Sequence, residues 1–138
     1  TEGGLNLNYK KFFLKNIIKK LKKSNLRVSL FVEPKNSDIL EAKKLNADCV
    51  EIHTGKFCNL VNLNRNYKNE LIKIKKAVNL GNEIGLEVHA GHGLTYKSAS
   101  ILSKVKGISE FNIGHFLVGE SIFYGLRDCI KQFKKIIK

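Results

Sequence analysis

Gly85-Leu86-Glu87-Val88-His89-Ala90-Gly91-His92-Gly93-Leu94-Thr95-Tyr96 is the stretch on which the fold turns. An apolar run over 86–89 reads as a short strand, and it empties into a glycine-rich loop carrying His89 and His92. Gly91 and Gly93 leave room for a ligand to approach the main chain closely. A strand that ends in such a loop is how a site at one end of a sheet begins.

Working outward, the same alternation recurs. Before it, 67–84 reads as a helix with Leu71, Ile74, Ala77 and Val78 on one face, and Gly85 is its C-terminal glycine. Further back, 48–53 is a strand ending at Thr54-Gly55, followed by an asparagine-rich loop over 59–66. A helix capped by Ser37 runs to 45, with Asp38 and Glu41 near its positive end. The β-rich run 27–32 stops at Glu33-Pro34, since proline cannot continue a central strand. In 9–23, Phe13, Ile17 and Leu21 recur at i+4 with Leu14 and Ile18 beside them, an amphipathic helix. After the opening stretch, 97–105 reads as a helix with Ile101, Leu102 and Val105 inward, and 110–113 as a strand closing on Gly114-His115. A last helix over 119–138 spaces Ile122, Phe123, Leu126, Ile130 and Phe133 for burial.

Short apolar strands alternating with helices predict an α/β fold with parallel strands. In such sheets ligands bind beyond the carboxyl ends of the strands. Glu33, Glu51, His53, His92, Gly93, Gly114 and His115 all fall there. Four strand–helix units are half of a (β/α)8 barrel, and 138 residues are about half the ~250 usual for one. One domain over 1–138 is expected, built as part of a barrel.

Composition narrows the class. Hydrophobic residues make up 43% and charged residues 27%, as in a soluble globular chain. No apolar run approaches the ~18 residues of a membrane span, so no membrane partner is expected. Thr1-Glu2-Gly3-Gly4 lacks an initiator Met and a signal-peptide pattern, so an upstream segment is expected to be missing. The three cysteines, Cys49, Cys58 and Cys129, are widely spaced without a CxxC pair, which fits a reducing cytoplasm. The net charge of +13 raises nucleic acid or an anionic substrate. The lysines, however, are spread along helical segments among 12 acidic residues, so solvated helix faces are expected and nucleic-acid binding is not.

Gly91-His92-Gly93 and Ile113-Gly114-His115 end successive strands, so their amides are candidates to hold one phosphate, with a helix start assisting. The alternative is that these glycines merely permit tight turns. The unperturbed pKa of histidine lies near neutrality, which makes His92 the candidate acid. His89, by alternation, is expected to be supporting structure. Glu51 lies within an apolar strand, where an unpaired carboxylate is costly. It either stabilises developing charge or forms a structural ion pair with Arg27 or a lysine. His53 should face the same side as Glu51. No HxH or HExxH spacing appears, and no metal site is expected.

Read together, Thr1-Glu2-Gly3-Gly4-Leu5, Val28-Ser29-Leu30-Phe31-Val32, Glu51-Ile52-His53-Thr54-Gly55, Ala90-Gly91-His92-Gly93-Leu94-Thr95-Tyr96 and Glu110-Phe111-Asn112-Ile113-Gly114-His115 resemble the pyridoxine 5′-phosphate synthase family. The resemblance covers essentially the whole chain. It implies a (β/α)8 barrel that condenses 1-deoxy-D-xylulose 5-phosphate with 3-amino-2-oxopropyl phosphate to pyridoxine 5′-phosphate, phosphate and water, without a cofactor. It also implies a proton donor at His92, a transition-state stabiliser at Glu51, and an amino-ketone phosphate site at Gly93, Gly114 and His115. Thr1 falls at or beside a contact to the deoxyxylulose phosphate. A homo-octamer is implied as well. The family's first four strands, with its remaining histidine and glutamate bases, have no counterpart here. The chain therefore matches strands 5 to 8, and alone it is expected to be inactive. The competing classes are a non-catalytic half-barrel binding a phosphate ligand or nucleic acid, and a metal-dependent lyase or aldolase.

Overall fold

A computed structural model describes residues 3–137. In chain order the elements are α1 (Lys11–Lys23), β1 (Ser29–Val32), α2 (Asn36–Lys44), β2 (Cys49–His53), α3 (Gly55–Asn62), α4 (Lys68–Glu83), β3 (Glu87–Gly91), α5 (Tyr96–Leu102), β4 (Glu110–Asn112), α6 (His115–Tyr124) and α7 (Leu126–Ile136). The strands form one parallel sheet in sequence order, β1-β2-β3-β4, consistent with half of a (β/α)8 barrel. Among the described residues no helix is long and apolar enough to cross a membrane.

Alternation along the strands divides the sheet into two faces. Leu30, Val32, Val50, Ile52, Val88 and Ala90 point one way and are buried, the innermost fully. Ile39 and Ala42 of α2, Phe57 and Val61 of α3, Ile74 and Val78 of α4 and Leu102 of α5 cover them. Ser29, Phe31, Glu51, His53, Glu87, His89 and Asn112 occupy the other face by the same period. Chemistry is thus confined to one face, which corresponds to the inside of a barrel.

Several sequence expectations are corrected. The stretch after Thr54 is not loop throughout, because α3 continues to Asn62. Phe57, Cys58 and Val61 bury one face of it, and that packing outweighs the poor helix propensity of Asn59 and Asn62. β3 extends past the expected end at His89 to Gly91, so the loop begins only at His92. Ser37 does not cap α2, which starts at Asn36 after Lys35.

The single C-terminal helix is really two. Gly125, at φ 79°, breaks the chain between α6 and α7, and α6 begins already at His115. Phe133 is buried as expected, but Ile122, Phe123, Leu126 and Ile130 are exposed. In α1, likewise, Ile18 is the buried residue, whereas Phe13, Ile17 and Leu21 are exposed. An apolar stripe is present in α1 and in α7 but not in α6, and periodicity does not say which face is covered.

Candidate functional site

The sheet register assembles the site. Glu51 lies level with His89 and Glu110, and His53 lies level with Gly91 and Asn112, one step nearer the carboxyl ends. Glu51 and His53 therefore share a face, as their spacing predicts. His89 shares it too, but in the deeper row. It is buried, with Nε2 2.8 Å from Glu87 Oε1 and Nδ1 3.9 Å from Glu110 Oε1. Glu87 also pairs with Arg27. Arg27 first and His89 second hold the Glu87 carboxyl well below its ordinary 4.5, at about 2.

With Arg27 engaged there, it is not the partner of Glu51. Glu51 reaches instead across β3 to β4, where Asn112 Nδ2 donates to its Oε2 at 2.8 Å. The path exists because residue 91 has no side chain. A Cβ there would overlap Glu51 Oε1 and lie 2.8 Å from Cδ. Gly91 is thus needed for the space its missing side chain leaves. A carboxylate fixed by a neutral amide keeps its charge available to a ligand.

His92 follows directly, with φ 78°, a conformation rare for a residue bearing a Cβ. Thr54, fully buried, enforces it. Its hydroxyl faces the carbonyl oxygens of Gly91 and His92, each at 2.8 Å, and its N–H donates to Gly91 O at 2.9 Å. The turn exposes the His92 ring and stacks it near His53, with ring centroids 4.7 Å apart and Phe31 alongside. Burial is the main cause that pushes the His92 pKa below 6.5, and Glu51 opposes it. A lowered pKa makes the protonated ring a stronger acid.

The loops after β3 and β4 border one cavity of about 510 Å³. His92, Gly93, Leu94 and Thr95 line one side, and Asn112, Ile113, Gly114 and His115 the other. Gly114 is the N-cap of α6, and the first N–H groups of any helix lack intrahelical acceptors. They and the helix dipole favour an anion there. On the opposite side a Thr95–Ser98 capping box fixes the start of α5. Tyr96 then packs on Phe116 of α6 and Phe133 of α7, at centroid distances of 5.0 and 4.5 Å. The residue after Thr95 and the residue after His115 therefore hold the two loops together.

His92, Glu51, Gly93, Gly114 and His115 are thus brought to one end of the sheet. Thr1 lies outside the described residues. The sequence reading missed Thr54, Gly55 and Asn112. Thr54 and Gly55 follow the end of β2 directly, which was the available signal for them, and the alternation of β4 was the signal for Asn112. Among the described residues, no three or more His, Cys, Asp or Glu are grouped to hold a metal ion.

Comparison with known proteins adds the family context. The family model described as "Pyridoxal phosphate biosynthesis protein PdxJ" matches residues 1–138. The chain is 57% identical over 136 residues to a pyridoxine 5′-phosphate synthase of Pelagibacter ubique (strain HTCC1062), covering 99% of the chain and 57% of that relative. It is 45% identical over 137 residues to a protein of the same name from Zymomonas mobilis subsp. mobilis, covering 99% of the chain and 53% of the relative. A third, from Campylobacter fetus subsp. fetus, is 39% identical over 160 residues, with 100% and 62% covered. The chain spans about half the length of the curated relatives it matches.

Proposed function

Because the chain belongs to the PdxJ family of pyridoxal phosphate biosynthesis proteins, we propose that it forms the acid and phosphate-binding wall of a pyridoxine 5′-phosphate synthase. The reaction is the condensation of 1-deoxy-D-xylulose 5-phosphate with 3-amino-2-oxopropyl phosphate, releasing phosphate and water. Gly93, Gly114 and His115 hold the phosphate of the amino ketone. His92 donates a proton to a departing oxygen, and Glu51 stabilises positive charge that develops in the ring-forming intermediates.

The observation that carries this reading is the shared cavity. Two glycine-containing loops and a helix start enclose space for an anion, and His92 stands at its rim. An anion so held brings the rest of a small substrate within reach of the imidazole and the carboxylate. Orienting a substrate in this way supplies much of what a condensation needs.

Catalysis is assigned to the full-length protein, with the remaining bases contributed by the part of the barrel that its relatives possess in addition. The expected assembly is a homo-octamer in the cytoplasm. The test is turnover of both substrates, followed by formation of the pyridoxine ring. Product is expected from the full-length protein and none from residues 1–138 alone. Vitamer formation by the 138-residue polypeptide would overturn this division of labour, and no product from the full-length protein would overturn the activity itself.

A further inference from the structure

His53 is buried, with 9% of its surface exposed, yet only one of its ring nitrogens is satisfied. Nδ1 lies 3.1 Å from Glu33 Oε1. That carboxylate is held in turn by the Gly4 N–H, which donates to Oε1 at 2.8 Å. A carboxylate accepts but does not donate, so Nδ1 carries a proton, and a ring holding that proton alone has Nε2 as an acceptor. Among the described residues Nε2 has no hydrogen-bond partner. Leaving a buried nitrogen without a partner costs free energy, and such atoms in native proteins call for an explanation.

No side chain at residue 55 stands against Nε2. A Cβ at Gly55 would stand 2.8 Å from His53 Nε2 and 2.8 Å from His92 Cδ2, so any other residue would push into both rings. His53, Gly55, His92 and Gly93 line one further cavity of about 420 Å³, bordered also by Cys58 and Asn59 of α3. His92 and Gly93 belong to the phosphate-facing cavity as well. His53 therefore stands beside the candidate acid, on a cavity that shares His92 and Gly93 with the candidate anion site.

We propose that His53 is a substrate-contacting residue, its Nε2 accepting a hydrogen bond from a hydroxyl or amine of the phosphorylated ligand and setting that group against His92. Glu33 is the positioning residue that fixes the tautomer. The inference rests on the reading of the His92 cavity as the substrate site.

Replacing His53 by Phe keeps a ring against Phe31 and His92 but removes both nitrogens. In the full-length protein, kcat/KM for the hydroxylated and amino substrates is expected to fall at least tenfold. Affinity for inorganic phosphate, which offers no such contact, should stay within twofold. His53→Gln, which retains an acceptor, should recover a large part of the loss. Values of kcat/KM for His53→Phe within twofold of the native protein would overturn the assignment. Long-range 1H–15N correlation spectra of the native protein decide it independently of the variants. A ring protonated on Nδ1 at neutral pH is expected, and one protonated on Nε2 would overturn it. If the native protein forms no product, the underlying activity falls, and the tautomer still decides the acceptor role.

Discussion

The two ends of the candidate site are held in different ways. Around β2 and β3, Thr54 ties down the Gly91 and His92 carbonyls, Glu33 anchors His53, and Gly91 makes way for Glu51. Around β4 and α6, the strand has three residues, none of them fully buried, and α6 buries no residue at all. Nothing lies within 4 Å of where a Cβ at Gly114 would stand. The acid end is therefore built before a ligand arrives, as preorganised catalysis requires. The anion end, among the described residues, is the start of α6 beside the edge strand β4.

The sharpest way to break this contrast is to remove the acid. His92→Asn in the full-length protein should lower kcat by about 100-fold or more, the usual scale for a general acid. Phosphate affinity should change little, because Gly93 and the α6 N-terminus are untouched. Steady-state kinetics beside a phosphate titration separate the two. An unchanged kcat would remove His92 from the chemistry.

Next comes one substitution made at both ends. Gly91→Ala drives a methyl into the Glu51 carboxylate and should cost about 3 kcal/mol, as overpacking of a close contact does. Gly114→Ala meets open space and should stay within ~0.5 kcal/mol. Denaturant unfolding of both variants checks this. Equal losses would mean that the two ends are equally rigid. A smaller loss, about 1 kcal/mol, is expected for Thr54→Val, which deletes the hydroxyl that faces two carbonyls. It should also lower kcat, by freeing the turn at His92.

These positions show what was legible in the sequence. His92 and Gly93 stood out because glycines flank a histidine at a strand end, and Glu51 because a carboxylate interrupts an apolar strand. That Gly91 lies beneath Glu51 was not legible, because it depends on the register between β2 and β3. Asparagines disguised α3, whose packing is tertiary. The exposed Phe13 and Phe123, at 61% and 79%, mark the limit of periodicity, which finds an apolar stripe without naming its cover.

The smallest expected effect lies at the far end of the strands. The Glu87 carboxyl, held at about 2 chiefly by Arg27, is ionised in the folded state at pH values where an unfolded glutamate is protonated. Its contribution to stability is fully present above about 4.5 and is lost as pH falls toward 2. Arg27→Ala should therefore lessen the acid dependence of unfolding in that window and leave phosphate binding alone. Weakened phosphate binding in that variant would show that the two ends of β3 are coupled.

The central question is whether one anion is held jointly by the loops after β3 and β4. Backbone amide shifts of the full-length protein during titration with inorganic phosphate measure this directly. Gly93, Gly114 and His115 should move together and saturate with one common Kd. Shifts confined to one of the two loops, or to the lysine-rich surface of α1, would contradict it.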